Sequence, residues 1–178
     1  SVFLEDKINN KLKLVITTKE NNTNLTFSGY LQGKFNKDSL PCFLPGTLVR
    51  TENGEKQIEL LEEGELILNE NNELIPLTKL NKWIALEYNK LTTPYLIKKH
   101  ALDYNYPNKD TYVSGYHSIL LPSGEMTKVF QIKLPEIKQI NAKNELIIYY
   151  NLILPNKSNF YANNMIVESL DPSNKNLY

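Results

Sequence analysis

Cysteine occurs once in these 178 residues, as Cys42. A single cysteine excludes an internal disulfide framework and a Cys-rich zinc site. Histidine occurs twice, as His100 and His117, too few beside one cysteine for a structural metal centre. Excess charge of one sign is also missing: 20 Lys and Arg balance 20 Asp and Glu. Without a basic excess a nucleic-acid partner has no support. No apolar run approaches the roughly 20 residues that span a bilayer. The opening stretch, SVFLEDKINNKLKLV, carries charge throughout and does not read as a secretory signal peptide. Long amphipathic runs of helical period are absent, and so is any internal repeat of fixed period.

What remains is strand pattern and turn chemistry. Short β-branched and alternating runs lie at Lys11–Thr18, Thr23–Leu31, Thr47–Thr51, Glu65–Leu68, Thr78–Leu86, Tyr95–Lys99 and Thr111–Val113. Further runs lie at Ser118–Leu121, Thr127–Ile132, Glu145–Leu154 and Asn159–Val167. Between them fall turn signals such as Glu52-Asn53-Gly54-Glu55, where Asn-Gly suits a type I′ hairpin, Asn69–Asn72, and Pro122-Ser123-Gly124-Glu125. Leu60–Gly64 reads as a single helical turn ending in glycine. The first two runs, joined by turn residues, predict a β-hairpin arm. Many short strands predict an all-β domain, and the length suits one domain or one domain plus an arm. The polar stretch at the end predicts a loose tail.

The chemistry-bearing residues are few. Cys42 heads the stretch Pro41-Cys42-Phe43-Leu44-Pro45-Gly46-Thr47. It is either a small buried apolar residue or a nucleophile. A second element is Thr111-Tyr-Val-Ser114-Gly-Tyr-His117, in which a strand runs into Ser-x-x-His. A cysteine and a histidine distant in sequence can meet in the fold, and that pairing activates a thiol.

The run Cys42-Phe-Leu-x-Gly-Thr-x-Val-x-Thr-x-x-Gly, followed by Ile58-Glu59-x-Leu61-x-x-Gly64-Glu65, resembles the opening of a Hint domain. That is the fold shared by inteins and the C-terminal part of hedgehog proteins. Ser114-x-x-His117 resembles the family's Thr-x-x-His motif, and Asn159–Ser169 resembles its closing motif. The likeness spans roughly 42 to 169 in the expected order, and suits a bacterial intein-like or viral Hint type. It implies a compact all-β Hint fold over residues 42–169, an extein-like segment over 1–41 and a tail over 170–178. It also implies self-processing at the Pro41–Cys42 bond. Cys42 would attack the carbonyl of Pro41 in an N-to-S acyl shift that forms a thioester. By the same carry-over His117 protonates the leaving amine, and Ser114 is an oxyanion or orienting group. Asp110, or less well Asp103, is the aspartate that activates the incoming nucleophile. The substrate is the chain's own upstream polypeptide, and water or an external thiol or other nucleophile accepts the acyl group. The resemblance calls for no cofactor and no metal.

Departures from the family pattern limit the chemistry. Splicing members end in His-Asn followed by Cys, Ser or Thr, whereas this chain has Glu168-Ser169-Leu170, with Ser158 where a further His is common. The expectation is therefore autocleavage without splicing. The alternative is a Hint module that does not cleave and serves a structural or interaction role. Pro41 favours the alternative, because its stiff ring constrains the bond under attack. His100 is expected as a solvated residue at a strand edge, Glu168 as a surface or pairing carboxylate rather than a catalyst, and the tyrosines as sheet packing.

Overall fold

The computed structural model describes the side chains of residues 41–85, 93–141 and 147–171, and the backbone of three strands before them. Those three are β1 (Val2–Ile8), β2 (Lys11–Thr17) and β3 (Asn24–Phe27), in one antiparallel sheet of order β1-β2-β3. The expected hairpin is the β2–β3 pair, with Leu14 opposite Phe27 and Thr17 opposite Asn24. The arm thus has one strand more than predicted. The chain divides into two compact units, with the boundary between residues 36 and 37.

The second unit is all-β, with no α-helix among its described residues. Its strands are β4 (Leu48–Thr51), β5 (Gly54–Gln57), β6 (Leu66–Leu68), β7 (Leu74–Pro76), β8 (Lys79–Ala85), β9 (Tyr95–Ile97) and β10 (Thr111–Val113). They continue as β11 (Ser118–Leu120), β12 (Met126–Lys128), β13 (Ile137–Gln139), β14 (Ile147–Ile153), β15 (Phe160–Ala162) and β16 (Met165–Val167). The largest sheet runs β12-β11-β16-β15-β4-β6-β7, with β5 added on β4. A second sheet runs β10-β9-β13, and β14 pairs with β8 as a long ribbon. Phe43, Val49, Ile67, Ile97, Ile119, Leu152, Phe160 and Val167 meet in one fully buried core. Each such side chain contributes about 1.5–3 kcal/mol of burial.

Several local expectations shift. The helical turn predicted at Leu60–Gly64 is a 3-10 turn at Ile58–Leu60, and the run expected as a strand to Ile132 ends in a second at Val129–Gln131. Asn159–Val167 is not one strand but the hairpin β15–β16. Asn163 and Asn164 at its tip take left-handed φ of 45° and 70°, which Asn tolerates better than other side chains. In the β4–β5 turn Gly54 alone takes positive φ, at 99°, so that turn is not type I′. Leu170 and Asp171, the first residues of the expected tail, are held to the domain. Leu170 is buried and its N–H donates to Leu152 O at 2.8 Å, and Asp171 pairs with Lys157. The rest of the predicted tail, 172–178, lies outside the described residues.

Candidate functional site

The stretch Cys42–Leu44 is an extra rung laid between β10 and β14. Phe43 exchanges both backbone hydrogen bonds with Tyr150 of β14, each at 2.8 Å. On the other side Ser114 N–H donates to Cys42 O at 2.8 Å, and Leu44 N–H donates to Tyr112 O at 3.1 Å. Successive side chains of an extended rung point to opposite faces. Phe43 therefore enters the main core with Val113 and Tyr150, while Cys42 lies in a separate cluster with Ala85, Ile147 and Tyr149.

That second face belongs to the β8–β14 ribbon. Its register sets Asn81 opposite Asn151, Trp83 opposite Tyr149 and Ala85 opposite Ile147. The Trp83 indole N–H donates to Cys42 Sγ at 2.9 Å, and its ring stacks on Tyr149 with centroids 4.8 Å apart. The thiol is fully buried. Burial pushes its pKa up to about 12, and the indole hydrogen bond offsets part of that rise. Burial also pushes the Tyr149 phenol up, and the nearby Cys42 adds to it.

The peptide bond before Cys42 is held at both ends. Asn151 Nδ2 donates to Pro41 O and lies 3.9 Å from Cys42 Sγ. Cys42 N–H donates to Ser114 Oγ at 2.9 Å. Asn151 is 2% exposed, and its Oδ1 has no partner. Ser114 opens the turn that ends at His117, whose N–H donates to Ser114 O at 3.2 Å. Gly115 lies in that turn because a Cβ there would stand 2.8 Å from the Tyr95 ring.

His117 is fully buried beside Phe43, with ring centroids 4.2 Å apart. Nε2 lies 3.1 Å from Glu168 O and so carries the proton, while Nδ1 is buried without a partner. Desolvation lowers its pKa to about 3, against a smaller upward pull from the Glu168 carbonyl. The imidazole is therefore neutral near pH 7. It packs on the Phe43 face of the rung, opposite to the face that carries the thiol.

The predicted carboxylates lie elsewhere. Asp110 accepts from Lys98 Nζ at 2.8 Å and from Lys99 N–H at 2.9 Å, and its side chain is 42% exposed. The Lys98 ammonium holds its carboxyl below the usual range. Asp103 is exposed and accepts from Tyr104 N–H at 2.6 Å. No hydrogen bond among the described residues links either to Cys42 or His117. Glu168 is half-buried and accepts Ser118 N–H at 2.7 Å. His100 is exposed and stacks on Tyr104. Much of the opening motif is scaffold: Gly46, at φ 81°, donates its N–H to the Glu59 carboxylate at 2.8 Å, and Ile58 N–H donates to Thr47 O.

Asn151, Trp83 and Tyr149 surround the sulfur and were not predicted. One signal was available for Asn151: it is the single polar residue within the apolar run Ile147-Ile-Tyr-Tyr-Asn-Leu-Ile153. A strand buried on both faces reads as a continuous apolar run, so a lone amide inside one needs a buried partner.

The comparisons agree with this architecture. The bacterial intein-like domain of Clostridium thermocellum superposes with a TM-score of 0.59 at 12% identity, over 74% of this chain and 100% of that one. The DnaB intein of Synechocystis gives 0.53 at 15% identity, over 74% and 100%. The gp41-1 intein gives 0.51 at 16% identity, over 72% and 98%. No curated protein sequence matches the chain. The profile of the family described as Hint domain matches residues 41–174. The chain therefore belongs to the Hint-domain family and carries the intein-like fold that supports self-processing.

Proposed function

We propose that this domain cleaves its own backbone at the Pro41–Cys42 bond by a cysteine-dependent N-to-S acyl shift, without splicing. The observation that carries this reading is the grip on that one peptide bond, with Asn151 on its oxygen, Ser114 on its nitrogen and the Cys42 sulfur beside both. Cys42 Sγ bonds to the Pro41 carbonyl carbon, the thiol proton passes to the peptide nitrogen, and the C–N bond breaks. The step is an isomerisation and consumes no co-reactant. Negative charge develops on the Pro41 oxygen, where the Asn151 amide already donates. Ser114 acts at the nitrogen, as an orienting acceptor rather than an oxyanion donor. His117, with a bare Nδ1, takes up the proton in transit. Water then attacks the thioester carbonyl, giving a Pro41 carboxylate and restoring the Cys42 thiol. An external thiol serves the same end by transthioesterification. Glu168, Ser169 and Leu170 supply no asparagine that could cyclise, so the downstream bond stays intact.

A second reading, a module that does not cleave, draws on a different observation. Cys42 and His117 are both buried and both neutral, with pKa values near 12 and 3, and Pro41 stiffens the bond under attack.

Intact-mass measurement over hours, with and without dithiothreitol or hydroxylamine, decides between them. The expected result is thiol-accelerated loss of residues 1–41, abolished in Cys42→Ala and slowed in His117→Ala. No cleavage under any condition favours the second reading. Cleavage that persists in Cys42→Ala refutes the mechanism.

A further inference from the structure

We propose that Trp83 is the anion-stabilising donor of this site, its indole N–H holding the Cys42 sulfur as thiolate for attack on Pro41. The inference rests on the cleavage reading above and assigns the missing support for the nucleophile. An indole N–H donates and cannot accept, so it offers nothing to the thiol hydrogen. Its bond to sulfur strengthens as negative charge builds, since charge-assisted hydrogen bonds are roughly twice as strong as neutral ones.

The need for such a donor follows from the surroundings of the sulfur. The apolar side chains clustered with Cys42 are Ala85, Ile147 and Tyr149, with Trp83, Leu44 and Ile140 packed against them. The influences on the Cys42 thiol are burial and the indole hydrogen bond, with no charged group among them. His117 lies on the other face of the rung, against Phe43. Asn151 Nδ2, at 3.9 Å from the sulfur, is committed to the Pro41 oxygen. The indole, at 2.9 Å, is the closest donor to the sulfur among the described residues.

Trp83 is also anchored for this task. Its ring stacks at 21° on Tyr149, its cross-strand partner, and that pairing aims Nε1 along the ribbon face toward the rung. The unpartnered Oδ1 of Asn151, buried on the same face, marks a polar site whose hydrogen bonding is incomplete at rest. Thiolate held by Trp83 and oxyanion held by Asn151 are successive locations of one negative charge as the sulfur adds to the carbonyl.

The test uses the full chain, in which Trp83 is the only tryptophan and Cys42 the only cysteine. Trp83→Phe keeps an aromatic ring on Tyr149 and removes the N–H. Biosynthetic replacement of tryptophan by β-(3-benzothienyl)alanine removes the N–H alone, and serves where the Phe variant folds poorly. Cleavage is followed by intact mass from about pH 6.5 to 9.5, beside the thermal midpoint. The expected result is a rate about tenfold lower at each pH, a profile displaced about one unit to the alkaline side, with a near-normal midpoint. An unchanged rate overturns the proposal. So does a loss that tracks the fall in midpoint without displacing the profile. If the unsubstituted chain does not cleave at any pH, the cleavage reading fails, and Trp83 is judged by the rate of Cys42 alkylation with iodoacetamide over the same range. Alkylation about tenfold slower without the N–H upholds the donor role, and equal or faster alkylation overturns it.

Discussion

Acidification should destabilise this domain, and between about pH 6.5 and 4.5 chiefly through His117. The imidazole is fully buried, and its pKa falls from 6.5 to about 3. In the unfolded chain the same group binds a proton below about pH 6.5. Between those values the unfolded state holds more protons than the folded one, so stability falls as pH drops through the window. At about pH 4.5 the loss is about two pH units, or about 3 kcal/mol, and its limit below the folded pKa is about 5 kcal/mol. Against a typical total of about 5–15 kcal/mol that is a large share. The assay is urea unfolding of a Cys42→Ala chain, which cannot cleave by this route, at about pH 7 and pH 4.5. Fluorescence of Trp83, the sole tryptophan, reports the domain. The control adds His117→Phe, which keeps a ring against Phe43 and lacks the titrating group. His117→Phe costs stability at both pH values, because the Glu168 carbonyl loses its donor, by about 1–3 kcal/mol. Its additional loss on acidification should nevertheless be smaller by about 3 kcal/mol. Equal acid losses in the two chains would refute the reasoning. They would also mean that His117 titrates near its ordinary value and can donate a proton at neutral pH without prior uptake.

Three further outcomes follow from the same geometry. Asn151→Ala removes the donor to the Pro41 oxygen and should slow cleavage about 10²–10³-fold in the intact-mass assay; a smaller than about threefold effect would show that the amide does not hold the oxyanion. Asp110→Asn disturbs a half-exposed pair with Lys98 and should leave the cleavage rate unchanged and stability within about 0.5 kcal/mol, so a large rate loss would restore Asp110 to the site. Raising the pH tests Cys42: its folded pKa near 12 lies above the unfolded value, so stability falls as pH rises above about 9, and in urea unfolding Cys42→Ala should reduce that alkaline loss.

Legibility of the sequence followed the range of the interactions. The opening motif was readable because its residues act on near neighbours: Glu59 on Gly46, Thr47 on Leu44 and on Ile58. Ser114 and His117 were readable as a spaced pair for the same reason, since one turn joins them. Three-residue strands such as β7 and β13 were missed because they are too short to show alternation and owe their existence to β6 and β9 beside them. Asn163-Asn164 was read as strand interior, although paired asparagines tolerate the left-handed φ values of that hairpin tip. Trp83 and Asn151 could not be connected with Cys42 without knowing that the rung lies along β14. Their common place beside the sulfur depends on a ribbon register, Trp83 opposite Tyr149 and Asn81 opposite Asn151, set by 7-residue strands far apart in the chain. Asp110 was chosen for its place before β10, and local sequence could not reveal that Lys98 claims it.

Thiol and imidazole on opposite faces of the rung are compatible with the proposed cleavage. A nucleophile adds to a peptide carbonyl from above or below the peptide plane, and the Cys42 sulfur is tethered to do so from its own face. As the carbonyl carbon becomes tetrahedral, the nitrogen loses its planarity and gains a lone pair that can be protonated from the other face. In the cleavage mechanism proposed above, a rung whose consecutive side chains diverge would separate the two tasks in space, with charge building beside Asn151 and Trp83 and the proton delivered to the nitrogen from the His117 side. In the resting domain neither group is ionised, and the two raised costs reinforce each other. Burial disfavours thiolate and imidazolium separately, yet moving one proton from sulfur to imidazole creates both at once and leaves the net charge unchanged. Their mutual attraction across the rung then offsets part of both desolvation penalties. On this view the barrier is sensitive to anything that admits water to the rung. A substitution that loosens the lid of apolar side chains over Cys42, such as Ile147→Ala, should therefore lower the Cys42 pKa and destabilise the fold by about 2–5 kcal/mol. The informative result is the cleavage rate of that variant. A faster reaction in a less stable domain would mean that the resting site is held back by burial, whereas a slower one would mean that the dry site itself drives the shift.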